Sequence, residues 1–161
     1  MDDLGKNSEN IEVIEPTINI EVTLAKRLNL ADFINAVPAI RELAIANDTE
    51  RDAKELDLVI SAEPPFLKSK LWRVDAVAAG QRMRIKDCDI TLDGQLLGRL
   101  TEAENALVTL RLQTREAEPV LLAEHSTVLE LLPRNQWGGL TSLPDMVAAL
   151  CRRRWSATSL S

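Results

Sequence analysis

Tyrosine is missing from this chain, and aromatic residues make up only 3% of its 161 residues. Against that background the stretch "LLPRNQWGGL", residues 131–140, stands out, because it sets Trp137 beside Gly138 and Gly139. Histidine occurs once and cysteine twice, as Cys88 and Cys151, with none at ligand spacing. Neither a zinc site nor a disulfide framework is therefore expected. No apolar run approaches the roughly 20 residues of a transmembrane helix. The N-terminus, "MDDLGKNSEN", is acidic and polar, the reverse of a signal peptide. Together these features predict a cytoplasmic protein.

Catalytic signatures are lacking too. There is no G-x-x-x-x-G-K-[ST] phosphate loop, no G-x-S-x-G elbow and no H-E-x-x-H pair. No nucleophile–base pair is visible, so an enzyme is not expected, and no cofactor, metal or small-molecule substrate is implied. The net charge of −6 removes bulk electrostatic attraction to nucleic acid or anionic membrane as the default.

What remains is a globular composition, with 45% hydrophobic and 27% charged residues, at about the length of one domain. Period-two alternation dominates. Ile18, Ile20, Val22 and Leu24 share one strand face, and Pro16 marks an interruption or an edge. Leu43 and Ile45 point inward in a second strand that ends at Asn47-Asp48-Thr49, a glycosylation sequon read here as a turn. Leu56, Leu58, Ile60 and Ala62 alternate up to Pro64-Pro65, which stop the ladder. A short strand with Trp72 as a core anchor then leads through an Ala79-Gly80 turn to another strand. There Met83 and Ile85 are in one phase and Cys88, Ile90 and Leu92 in the other, which predicts a β-bulge near Lys86-Asp87. Asp93-Gly94 closes that element. "QLLGRLTEAENA" has helical leanings through Leu96, Leu97 and Leu100, with "TEAE" as a helix start. "LVTLRLQT" and "VLLAEHSTVLELL" predict two more strands, joined across "REAEP".

The sum is a mainly-β fold, an immunoglobulin-like antiparallel β-sandwich of about seven strands with one or two short helices. The expected layout is a flexible arm at 1–10 and a sandwich at 11–132. An exit turn and short helix follow at 133–150, with Ser142 capping Leu143–Leu150 and Asp145 near the positive end, and then a disordered tail at 151–161.

Several side chains are candidates for contact rather than chemistry. His125 sits in a strand-like run and is read as a surface or cross-strand residue. Asp87, Asp89 and Asp93 form the densest acidic cluster, with too few further ligands to hold a cation, and are read as a solvated face. Arg82, Arg84 and Lys86 are placed on one strand face, where they alternate with acids or touch phosphate. Arg152, Arg153 and Arg154 add a basic tail that suits nucleic acid.

The order of landmarks is more specific. The Asn47-Asp48-Thr49 turn, "EPPFL", "WRVDAVAAGQ", "LLAEHSTVLELLPRNQWGGL" and "LPDMVAAL" together resemble the N-terminal module of very large bacterial helicase-like proteins. The similarity spans roughly residues 10–150, and "PRNQWGGL" is its most specific part. In that family the sandwich precedes a superfamily-one ATPase core and a restriction-endonuclease-like domain, and members serve DNA or RNA transactions, some of them in phage defence. The resemblance implies that Gly138-Gly139 let the chain leave the sheet while Trp137 pins the exit. After "MVAAL" the family continues into a connector, whereas this chain reads "CRRRWSATSLS", the pattern of a frameshift or gene fragment. The family's ATP-binding and nuclease residues have no counterparts here.

The expected function is a non-catalytic interaction module, a truncated or split front end of a helicase–nuclease-like protein. Its contacts are expected at the sheet edges and at Arg134, Asn135 and Trp137, and its partner is the helicase–nuclease part or a second copy. The alternative is a nucleic-acid-binding accessory domain using Arg82, Arg84, Lys86 and the 152–154 arginines.

Overall fold

The computed structural model describes residues 17–136, and two sheets account for most of them. One sheet holds β1 (Ile18–Leu24), β3 (Ile40–Asn47) and β6 (Gln81–Arg84), in the order β1-β3-β6. The other holds β2 (Arg27–Leu28), β4 (Ala53–Glu63), β5 (Lys70–Val77), β7 (Glu104–Thr114) and β8 (Leu121–Leu131), in the order β2-β8-β7-β4-β5. Two short helices, α1 (Leu30–Ile34) and α2 (Gly94–Arg99), complete the described residues. This is the mainly-β sandwich the alternation predicts, with eight strands. Its order is immunoglobulin-like, because the first strand is split between the sheets as β1 and β2 and the chain changes sheets repeatedly. One pairing departs from an all-antiparallel sheet: β2 runs parallel to β8, with Arg27 opposite Glu130 and Leu28 opposite Leu131. The arm at 1–10, Pro16, Trp137, Gly138-Gly139, the helix at 143–150 and the tail at 151–161 lie outside the described residues.

The core is aliphatic. Leu56, Leu58 and Ile60 of β4 and Ala106, Val108, Leu110 and Leu112 of β7 are wholly buried. Register sets Leu58 opposite Leu112 and Ile60 opposite Leu110, so two adjacent strands present one continuous apolar face. Pro64-Pro65 stop β4 as expected. Beyond them Phe66 is fully buried, and its carbonyl accepts from the Asp93 N–H at 2.6 Å. In the three-stranded sheet Leu43 and Ile45 face inward, and Ala44 and Ala46 are buried as well. The cause is shading, since Arg82 reaches over β3 to Glu21 and Glu42.

Two sequence expectations need correction. The phase change after Ile85 is not a bulge within a strand, because β6 ends at Arg84. From there the chain crosses from one sheet to the rim of the other, so Cys88, Ile90 and Leu92 meet the core from a new side. Trp72, on edge strand β5, holds this crossing by donating its indole N–H to the Asp87 carbonyl at 2.7 Å. Nor does "TEAE" start a helix. Asp93 is the cap of α2, accepting from the Gln95 and Leu96 N–H groups at 2.9 and 3.0 Å, and Glu104 already opens β7. Gly94 is required there, because a Cβ would overlap the Phe33 ring of α1.

The sequon is a turn, and it is buried. Asn47 is fully inaccessible; its Nδ2 donates to the carbonyls of Arg51 at 2.8 Å and Val77 at 3.0 Å. Its Oδ1 accepts from the Thr49 N–H at 3.1 Å and hydroxyl at 2.6 Å. One side chain thus ties the β3–β4 turn to the end of β5. Asn47→Ala is expected to leave buried polar groups unpaired and to lower unfolding free energy by about 2–3 kcal/mol in urea titration. Asn47→Asp should not restore it, because a carboxylate cannot donate. A loss near zero would remove Asn47 from this role.

Candidate interaction surface

β8 has a partner along its whole length on one side and almost none on the other. β7 pairs with it from Leu121 to Leu131, while among the described residues β2 covers only Glu130 and Leu131. Which groups are left is fixed by parity. The Glu130 N–H donates to the Lys26 carbonyl and the Leu132 N–H to the Leu28 carbonyl, so even-numbered residues face away from β7. Glu124, Ser126 and Val128 therefore turn their backbone N–H and C=O groups to the open edge. Below them a register shift between Leu112 and Gln113 ends the regular ladder near Ala123.

The side chains around this edge form two rows. Outward, Val128 lies opposite Leu107, Ser126 opposite Thr109 with a hydroxyl contact of 3.2 Å, and Glu124 opposite Arg111 with an ion pair of 2.6 Å. Val128 is 61% exposed and Leu107 46% exposed, so the outer face carries an apolar pair in water. Inward, Ala123, His125 and Thr127 are only half-buried, although their β7 partners Leu112, Leu110 and Val108 are wholly buried. β1 packs across from β8, and its Ile18, Val22 and Leu24 are half-buried too. The sandwich is thus ajar between β1 and β8. His125 is cross-strand, as the sequence implies.

The exit corner is built on α1, which the alternation did not reveal. Asn29 and Asp32 form a reciprocal capping box: the Asp32 N–H donates to Asn29 Oδ1 at 3.0 Å, and the Asn29 N–H to Asp32 Oδ2 at 2.9 Å. The Asn29-x-x-Asp32 spacing was the available signal. Asn29 Nδ2 also donates to the Gln136 carbonyl at 3.1 Å, binding the end of the sandwich to this cap. Arg134 and Asn135 occupy the turn closed by Gln136 N–H to Pro133 C=O, and both are exposed. Trp137, the third member of the expected corner, lies outside the described residues. Phe33 and Ile34 of α1 are exposed at 40% and 67%.

The cationic face is not assembled as expected. Arg82 and Arg84 are on β6, but Lys86 lies beyond its end, because the crossing to the other sheet begins at Ile85. Arg82 is held by Glu21 and, at 3.1 Å, by Glu42; these hydrogen bonds raise its pKa. Arg152, Arg153 and Arg154 lie outside the described residues. The three aspartates have separate uses. Asp93 caps α2, and Asp87 pairs with Lys70 Nζ at 2.8 Å. The Asp89 carbonyl takes the same ammonium at 2.5 Å, and that ammonium lies 5.2 Å from the centre of the Trp72 ring. Among the described residues no group of three or more His, Cys, Asp or Glu could hold a metal. Cys88 is free, and burial pushes its thiol up. A shallow cleft of about 270 Å³ lies between the start of β1 and the start of β8, lined by Ile18, Arg51, Lys54, Thr114 and Leu122.

With this geometry in view, comparison with protein-family models, curated proteins and solved structures finds no match. No described helix is long and apolar enough to cross a membrane.

The Lys70–Asp87 clamp has a pH consequence. Asp87 is held below the ordinary aspartate range by the Lys70 hydrogen bond first and by the Asp89 N–H second. A depressed carboxyl pKa stabilises the folded state above the unfolded value, and the contribution is lost as pH falls through the folded value. The Asp87 carboxyl resonance should therefore titrate below ordinary aspartates, and Lys70→Met should move it upward. An unchanged midpoint in that variant would show that the ammonium is not the cause.

Proposed function

We propose that the chain is a non-catalytic interaction module of the cytoplasm, matching in role the N-terminal sandwich of the helicase–nuclease-like proteins its sequence resembles. The observation that carries this reading is the open edge of β8. Free N–H and C=O groups in a row recruit polypeptide, and they are flanked by an exposed Leu107–Val128 pair. The exit corner at Arg134 and Asn135 supplies a second contact, next to the point where the resembled family continues toward its motor. The partner is the helicase–nuclease part or a second copy of this chain.

The test begins at the source locus, by sequencing past codon 150 and expressing the helicase–nuclease frame beside the tagged chain. Co-purification of the two at micromolar concentration is the expected result. If both fold and neither retains the other, the module reading fails. Nucleic-acid binding through Arg82, Arg84, Lys86 and Arg152, Arg153 and Arg154 makes a different demand, a steep loss of affinity with salt. Since Arg82 is engaged by two carboxylates, labelled single-stranded DNA and RNA should show no saturable binding at low salt in an anisotropy titration.

A further inference from the structure

The edges of the two sheets are not equivalent. β6 is only four residues long and carries Arg82 and Arg84, and β5 carries Lys70, Arg73 and Asp75. β1 is seven residues long, with Glu21 at its middle and a register shift between Thr23 and Leu24. Charges, short length and irregularity are the devices that keep edges from recruiting strands. From Ala123 to Leu129, β8 reads Ala-Glu-His-Ser-Thr-Val-Leu, regular and without lysine, arginine or proline.

The open stretch has two ends. β2 occupies the edge from Glu130 onward, and the register shift interrupts it before Ala123. A span of about seven residues, or about 23 Å, is left for an added strand. A second copy of β8 is too long for it, because an antiparallel partner would run its own hairpin into β2.

We propose that this slot accepts a short extended peptide segment of a partner protein, with apolar side chains alternating with basic or hydroxyl ones. The inference rests on the interaction-module reading and names the chemistry of the partner. Main-chain pairing would be made by Glu124, Ser126 and Val128. The inward side chains of the peptide enter the gap between β8 and β1, where Ile18, Val22 and Leu24 are half-buried and lack cover on that side, so they must be apolar. Its outward side chains lie beside Glu124 and Glu130, whose only basic partners are Arg111 and Arg27, in ion pairs more than half exposed on the arginine side. A lysine or arginine there shares these carboxylates; an acid is repelled.

The probe is the capped heptapeptide acetyl-Thr-Val-Lys-Val-Thr-Val-Lys-amide, titrated into the full chain and followed by amide NMR. The expected result is saturable binding with the largest shifts at Glu124, Ser126 and Val128. Replacing both lysines by glutamate should weaken it. Ser126→Pro removes one edge-facing N–H without touching the β7 ladder, and should weaken binding about tenfold, while Ser126→Ala binds as the unmodified chain does. If Ser126→Pro does not fold, the same peptide N-methylated on alternate residues tests the main-chain pairing on the unmodified chain. Absence of binding at millimolar peptide, or binding indifferent to both Ser126→Pro and N-methylation, overturns the proposal. So does a chain that already self-associates through these amides, or that covers them with its own N-terminal residues. If co-purification with the helicase–nuclease part succeeds while the peptide fails, the module reading stands and this slot is not its docking site.

Discussion

Five strands are covered by three, and most of the structure follows from that inequality. The central strands of the larger sheet, β4 and β7, bury their inner side chains completely under the smaller sheet. Cover runs out at β8, where Ala123, His125 and Thr127 stay half-buried. The splitting of the first strand gives partial relief. β1 belongs to the small sheet and β2 to the large one, but β2 is only two residues long and closes just the top of the gap. A longer β2 would have sealed the sandwich. As built, the molecule has a finished core and one unfinished side.

Polar side chains compensate for the shortage of aromatic residues by fixing the connections. Asn47 ties the β3–β4 turn to the end of β5, and Trp72 with Lys70 holds the crossing that follows β6. Asp93 starts α2 at the point where the Phe66 carbonyl receives its N–H. Arg115 joins the β7–β8 hairpin to β4, donating to Asp57 at 3.0 Å and to Glu55 at 2.9 Å, where Glu55 has a positive φ of 50°. Such single-residue ties work because each spans elements far apart in sequence.

Alternation made the long strands legible. β1, β4, β7 and β8 are patterned by a buried inner face, and the structure places Ile20, Leu56, Leu58, Ile60, Val108 and Leu110 inside. Short elements escaped for a physical reason: two residues of β2 and five of α1 hold too few side chains for a period to register. Only the Asn29–Asp32 cap signals α1 in the sequence. The phase change at Lys86-Asp87 was visible, but one chain cannot say whether a change of face means a bulge within a sheet or passage to another sheet. The open edge was illegible for the same reason, since it depends on which strands are neighbours. Of the expected contact residues, Arg134 and Asn135 are exposed at the exit turn, and Arg82 is occupied by Glu21 and Glu42.

The most direct test is residue-resolved hydrogen exchange of the full chain in dilute solution. An open edge on β8 requires alternation: the amides of His125, Thr127 and Leu129, turned toward β7, should exchange slowly, while those of Glu124, Ser126 and Val128 exchange close to the rate of free amides. Equal and strong protection along the whole strand would contradict it, because the edge would then already be paired.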